Sequence, residues 1–223
     1  MTTSRWDPRT VLARFFGVVG RGRSYLNALY LLLAFPLGVV YFCFLAVGLS
    51  LGLGLVIVWV GLLVLAVVLL VSWLLSSFER QQAIWLLGAP LRADAPRPPA
   101  GATAGARLAS WLRDRLTWTG PVFLLLKLPL GVASFVLAVF CLSLSLVFLL
   151  APVNYPWEGL WFEMGAWEWH VDTLPEALVC SAIGFLLLVL SLHLLNAVAW
   201  VWKRLALVLL ERGRSPQPAP TAV

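Results

Sequence analysis

Charge is what this chain has least of. Only 12% of its 223 residues are charged, 16 Lys and Arg against 10 Asp and Glu. A soluble domain of this length cannot cover its surface with so few polar groups, so a soluble globular fold is excluded. Histidine and cysteine are scarce too, at 2 and 3 residues. Cys43, Cys141 and Cys180 lie in or at the ends of apolar runs. A thiol there packs as a small apolar group, and no structural disulfide is predicted. The chain has no phosphate-binding glycine loop, no HExxH, no nucleophile elbow and no Cys-rich metal pattern. It also lacks the facing intramembrane acids and bases that an ion-coupled transporter would use. The expectation is a non-enzymatic protein with no cofactor, no metal and no nucleic-acid partner.

What is present is apolar. Hydrophobic residues make up 61% of the chain and mean hydropathy is +0.93. They come in runs longer than the roughly 20 residues needed to cross a bilayer. The first run starts late, is too long for a secretory signal and has no small-residue cleavage pattern after it, so it is expected to stay in the mature protein. The net charge of +6 sits beside these runs and is read against membrane lipid.

The organising stretch is YLLLAFPLGVVYFCFLAVGLSL, from Tyr30 to Leu51. It returns as FLLLKLPLGVASFVLAVFCLSL, from Phe123 to Leu144. Pro36 matches Pro129 and Gly38 matches Gly131. Gly48 and Gly52 match Cys141 and Ser145, small residues again. A shared proline, glycine, phenylalanine and serine at matching spacings indicates an internal duplication. The repeat unit is a hairpin of two spans with an exit helix. The second copy is longer, and the excess falls in the loop over 152–176.

The predicted fold is an all-α membrane protein of four transmembrane helices arranged as two tandem hairpins. Spans are expected over 25–49, 51–78, 120–151 and 177–202. A basic leader, 1–24, precedes them and could lie in the headgroup layer or be disordered. Its apolar side would carry Val11, Leu12, Phe15, Phe16, Val18 and Val19. The four-span domain covers 25–212. Within it, a linker over 79–119 opens with a helical extension of span 2, passes through a Pro- and Gly/Ala-rich stretch, and closes with a short amphipathic helix, Arg107 to Trp118. The turn between spans 1 and 2 is expected at Gly48 to Gly54. A Pro-rich tail, 213–223, is expected to close the chain.

Orientation follows from the charges. The N-terminus, the linker and the C-terminal end hold nearly all the bases. The loop over 152–176 has no Lys or Arg but has Glu158, Glu163, Glu168, Asp172 and Glu176. The positive-inside rule places both termini and the linker in the cytoplasm, with the spans in the cell membrane. Both hairpins then point the same way, unlike the inverted repeats common in transporters.

Candidate sites fall in three groups. In the outer loop, Glu163, Glu168, His170 and Asp172 are close in sequence, and 168, 170 and 172 would share one side of an extended strand. Carboxylates beside an imidazole suit a ligand, ion or proton sensor; the tryptophan-rich surroundings suit an interfacial cap. Pro36, Gly38, Pro129 and Gly131 are candidate hinge positions, with a kink expected at each proline. Lys127, His193 and Asn196 are polar groups inside spans. Lys127 is near enough to an end to snorkel. His193 and Asn196 share a helix face and would bond between helices or line a proton path.

The stretches RFFGVVGRGRSYLNALYLLLAFPLGVVYF, GLSLGLGLVIVWVG, FERQQAIWLLG and DTLPEAL resemble the bacterial "putative sensor" domain family, known mostly from actinobacteria. The likeness covers roughly residues 14 to 212. The family often forms the N-terminal membrane module of two-component histidine kinases. The resemblance implies a membrane sensor module without its own catalytic output domain, working through a histidine kinase or transcriptional regulator in trans, alone or as a homo-oligomer. A kinase member would continue where the Pro-rich tail stands. A transporter or channel subunit and a structural assembly protein are the alternative readings.

Overall fold

The computed structural model of the chain describes residues 13, 15–91, 103, 105, 114–158, 160–164 and 167–211, and for 157–158, 160–164 and 167–170 the backbone alone. Four helices dominate: α1 (Gly22–Gly54), α2 (Val60–Trp85), α3 (Arg115–Leu149) and, after a short α4 (Ala151–Glu158), the long α5 (Leu174–Leu210). Each of the four long ones is apolar enough to cross a membrane. At 33, 26, 35 and 37 residues they span about 39 to 55 Å at 1.5 Å per residue. That exceeds a hydrocarbon core of about 30 Å, so each carries helix beyond it. The expected extension of span 2 is accordingly one continuous element through Trp85, and the ending after Lys203 continues through Leu210.

Among the described residues, strands occur only over 160–171. There β1 (Leu160–Met164) pairs antiparallel with β2 (Trp167–Val171), with Glu163 opposite Glu168 and Trp161 opposite His170. A small hairpin thus occupies the predicted outer loop. The amphipathic helix expected from Arg107 to Trp118 falls mostly outside the described residues, as do Val11 and Leu12 of the leader, most of the Pro-rich linker and the tail.

Two compact units divide the chain: Met1–Leu32 with Ala133–Ala199, and Leu33–Val132 with Trp200–Val223. In the first, the leader docks onto α5. Val18 packs on Val189 and Leu192, flanked by Phe15, Val19 and Leu188, and Phe16 stacks on Phe185 with centroids 6.0 Å apart. Val18 is therefore buried against a helix, while Phe16 stays 40% exposed. In the same unit α3 and α5 meet through hydroxyls. Ser145 Oγ and Ser191 Oγ lie 3.0 Å apart, and Ser191 Oγ donates to the Cys141 carbonyl at 3.2 Å. Thr173 and Glu176 form a capping box at the start of α5: Glu176 Oε2 accepts from the N–H groups of Asp172 and Thr173 at 3.1 and 3.3 Å.

In the second unit α1 and α2 form the tight hairpin, but its turn is displaced. Helix α1 runs unbroken through Gly48 to Gly54, and the reversal occurs at Leu55–Trp59, where a 3₁₀ turn (Val56–Val58) leads into Trp59 at φ 61°. The glycines serve a contact rather than the turn. A Cβ on Gly48 would stand 2.6 Å from Val68 Cγ2, and one on Gly52 2.5 Å from Leu65 Cδ2. Their absent side chains let the antiparallel helices close up, which offsets glycine's poor helix propensity. The helical assignment also continues through Pro36 and Pro129. Each ring removes one backbone donor, which a packed transmembrane helix tolerates.

Candidate functional site

The duplicated Pro-Leu-Gly step builds a reciprocal contact in the second unit. Gly38 of α1 lies against the backbone of Lys127 and Leu128 on α3; a Cβ there would be 2.8 Å from the Lys127 carbonyl oxygen. Gly131 of α3 lies against the backbone of Ala34 on α1, 2.7 Å by the same measure. Ala34 and Lys127 occupy matching places in the two copies, as do Gly38 and Gly131. Each copy thus presents the same patch to the other, the arrangement of a two-fold interface. The glycines allow the two backbones to approach as closely as in other small-residue helix crossings.

The copies differ where it matters for charge. The first has Ala34; the second has Lys127, whose ammonium pairs with the Glu79 carboxylate of α2. Both side chains are 0% exposed. Tyr41 of α1, itself 2% exposed, donates its hydroxyl to Glu79 Oε1 at 2.7 Å. The ammonium also lies 5.7 Å from the centroid of the Tyr41 ring. One buried carboxylate therefore collects a phenol from α1 and an ammonium from α3. Three helices are tied at one point beside the Gly38–Gly131 crossing.

The expectation that Lys127 snorkels is corrected by this geometry. A partner on a neighbouring helix satisfies the ammonium inside the bundle, so the side chain has no need to reach water. Glu79 is the functional candidate that sequence reading missed. The sequence places it first in the helical extension of span 2, where a charge reads as emerging from the membrane, yet on α2 it is fully buried. A signal was present: Gly61, Val68, Ser72, Ser76, Glu79 and Ala83 are all buried on α2 at helical spacing, which puts Glu79 on the packed face. Ser72 and Ser76 satisfy their hydroxyls within the helix, donating to the carbonyls of Val68 and Ser72 at 2.7 Å each.

His193 and Asn196 both face the N-terminal segment, in the first unit. His193 stacks on Phe15, centroids 5.0 Å apart, and its Nε2 lies 3.1 Å from the Phe15 carbonyl oxygen. Asn196 accepts from Asn27 Nδ2 at 2.8 Å and donates to Ser24 Oγ at 3.0 Å. Lys127, His193 and Asn196 are thus each engaged by different neighbours. Intramembrane side-chain bonds average about 0.6 kcal/mol and reach about 1.7. A double-mutant cycle on Asn27→Ala and Asn196→Ala is expected to return a coupling in that range by detergent unfolding. A coupling of zero would show that the bond contributes nothing.

Of the outer-loop candidates, Asp172 is exposed, and its backbone N–H is held by the capping Glu176. The side chains of Glu163, Glu168 and His170 lie outside the described residues. Among the described residues no group of three or more His, Cys, Asp or Glu is placed to hold a metal. At the far end of the second unit, Arg115 Nη2 donates to the Val208 carbonyl at 3.2 Å and Thr119 Oγ1 to that of Leu209. The start of α3 thereby satisfies open carbonyls in the last turn of α5.

A family model described as "Putative sensor" matches residues 30–210. That range contains both copies of the Pro-Leu-Gly step, the Tyr41–Glu79–Lys127 cluster, all of α2, α3 and α5, and α1 from Tyr30 onward. No curated protein and no solved structure matches the chain significantly.

Proposed function

The chain belongs to the "Putative sensor" family, and we propose that it works as a multi-pass sensor module whose buried Tyr41–Glu79–Lys127 cluster sets the arrangement of α1, α2 and α3. The observation that carries this reading is the complete burial of an ion pair at a close helix crossing. A buried pair adds little net stability over apolar packing, so its retention in a membrane bundle points to specificity or switching. Two packings of such a crossing would differ in whether Glu79 keeps both of its donors. A signal reaching the bilayer or the outer hairpin would act by favouring one of them. Pro36 and Pro129 flank the crossing and would absorb the backbone change. The role of Glu163, Glu168, His170 and Asp172 in receiving the signal belongs to the same proposal.

The charge distribution supports both termini and the linker being cytoplasmic, and the duplicated stretch supports two tandem hairpins in the cell membrane. The end of α2 at Trp85 and the joined ends of α3 and α5 would then face the cytoplasm together with the bases. Output would pass there to a histidine kinase or transcriptional regulator in trans.

Capture from native membranes in mild detergent, with the tag at the C-terminus, tests the relay. A recurring kinase or regulator is the expected result. Recovery of the chain alone, or with a transport component, would overturn it.

A further inference from the structure

The tip of the first hairpin has an unusual surface. From Cys43 to Val71 the only polar side-chain groups are the Ser50 hydroxyl and the Trp59 indole. At the turn, Leu53 is 66% exposed, Ile57 89%, Val58 62% and Trp59 81%. A turn meeting water normally carries Gly, Asn, Asp or Ser, and leaves backbone donors to the solvent. This one carries only Gly54 of these residue types, and most of its backbone donors are taken up internally. The N–H groups of Leu55, Val58, Trp59, Gly61 and Leu62 all bond within the turn, to the carbonyls of Leu51, Leu55, Val56, Leu55 and Trp59. Taking up backbone donors internally is what an apolar solvent favours. Trp59 also holds the left-handed conformation, which glycine would adopt more easily. The bulky aromatic is kept there although the protein does not bury it.

The second hairpin is the contrast. Its tip is the two-stranded β1–β2 unit in a sequence bearing Glu158, Glu163, Glu168 and Asp172. Matching ends of a duplicated fold therefore present opposite chemistry.

We propose that the α1–α2 tip, Leu53 to Trp59, is a lipid-binding wedge: it sits among the acyl chains of the bilayer leaflet on its side, and its partner is lipid rather than water or protein. The apolar faces of α1 and α2 lead into it without a polar break, so the tip continues a lipid-facing surface. With the tip inside the hydrocarbon edge, a rise of 1.5 Å per residue from Val60 brings Glu79 about 28 Å away, close to the opposite edge of a core about 30 Å thick. The tip would thereby fix the depth of the hairpin that carries the buried carboxylate. The wedge stands on its own, whether or not the chain relays a signal.

Fluorescence quenching in vesicles tests it. Cys43, Cys141 and Cys180 are replaced by alanine in the full chain, and a small environment-sensitive dye is attached at Ile57→Cys, or at Asp172→Cys as the water-exposed reference. The protein is reconstituted into phosphatidylcholine–phosphatidylglycerol vesicles with either doxyl-labelled lipid or external iodide as quencher. The expected result is several-fold stronger quenching of the Ile57 dye by doxyl lipid than of the Asp172 dye, with iodide showing the reverse order. Iodide quenching at Ile57 equal to that at Asp172 would place the tip in water and overturn the proposal. Shielding of the Ile57 dye from both quenchers would show that protein covers the tip, a second copy or another chain, and would overturn it equally. The same series at Val58→Cys guards against one substitution that disturbs the fold.

Discussion

Lys127→Met is expected to lower stability by about 3–5 kcal/mol, because it leaves the Glu79 carboxylate buried without its cation. Glu79→Leu should cost a similar amount, since the Lys127 ammonium is equally enclosed. Removing both charges should recover most of the loss, because two well-packed apolar side chains replace a pair whose desolvation nearly cancels its attraction. Tyr41 must be included. Its hydroxyl donates to Glu79, and an orphaned buried donor costs about 1–3 kcal/mol. The ordering to look for in detergent unfolding is therefore either single variant lowest, Glu79→Leu/Lys127→Met in between, and Tyr41→Phe/Glu79→Leu/Lys127→Met nearest wild type. Equal, additive losses from the two single changes would mean that the groups do not act as a pair.

The second large effect is expected at the crossing. Gly38→Ala would push a methyl group to 2.8 Å from the Lys127 carbonyl oxygen, and Gly131→Ala to 2.7 Å from that of Ala34. The obstacles are backbone atoms, which cannot rotate aside as a side chain can. Each change should cost about 1–3 kcal/mol, the usual range for overpacking. Gly54→Ala is the control, with nothing within 4 Å of the added carbon and an expected effect within about 0.5 kcal/mol. The Gly38→Ala/Gly131→Ala pair should be non-additive. Once one methyl has parted α1 from α3, the second meets less resistance at the same contact. Full additivity would show that the two glycines serve separate contacts.

The four spans were legible in the sequence because bilayer thickness imposes a length on apolar runs, and no tertiary contact is needed to see it. Gly38 and Gly131 were legible as a matched pair through the duplication, although only the structure shows that each faces the other copy's backbone. Glu79 was not. A charge following an apolar run reads as the end of a span, and its partner Lys127 lies on a different helix, where local spacing carries no information. The turn at Leu55–Trp59 was misplaced for a related reason. Glycines at Gly48 to Gly54 signal a turn by propensity, but here close packing on Val68 and Leu65 keeps them helical. The β1–β2 hairpin had a readable cue in Gly165-Ala166 between two aromatic-rich runs. The alternation over 168–172 read as one extended strand, and β2 covers 167–171; the partner strand β1 was not read.

Separating a switch from a structural tie requires a variant that folds without the charges. Tyr41→Phe/Glu79→Leu/Lys127→Met, at wild-type abundance in the native membrane, provides one. The measurement is the transcript profile of cells carrying wild type, the triple variant or a deletion. The account predicts that the triple variant departs from wild type in the genes that the deletion also affects, because the module is present but held in one packing. A profile matching wild type, with the deletion still distinct, would contradict it and leave the buried pair as part of the fold alone.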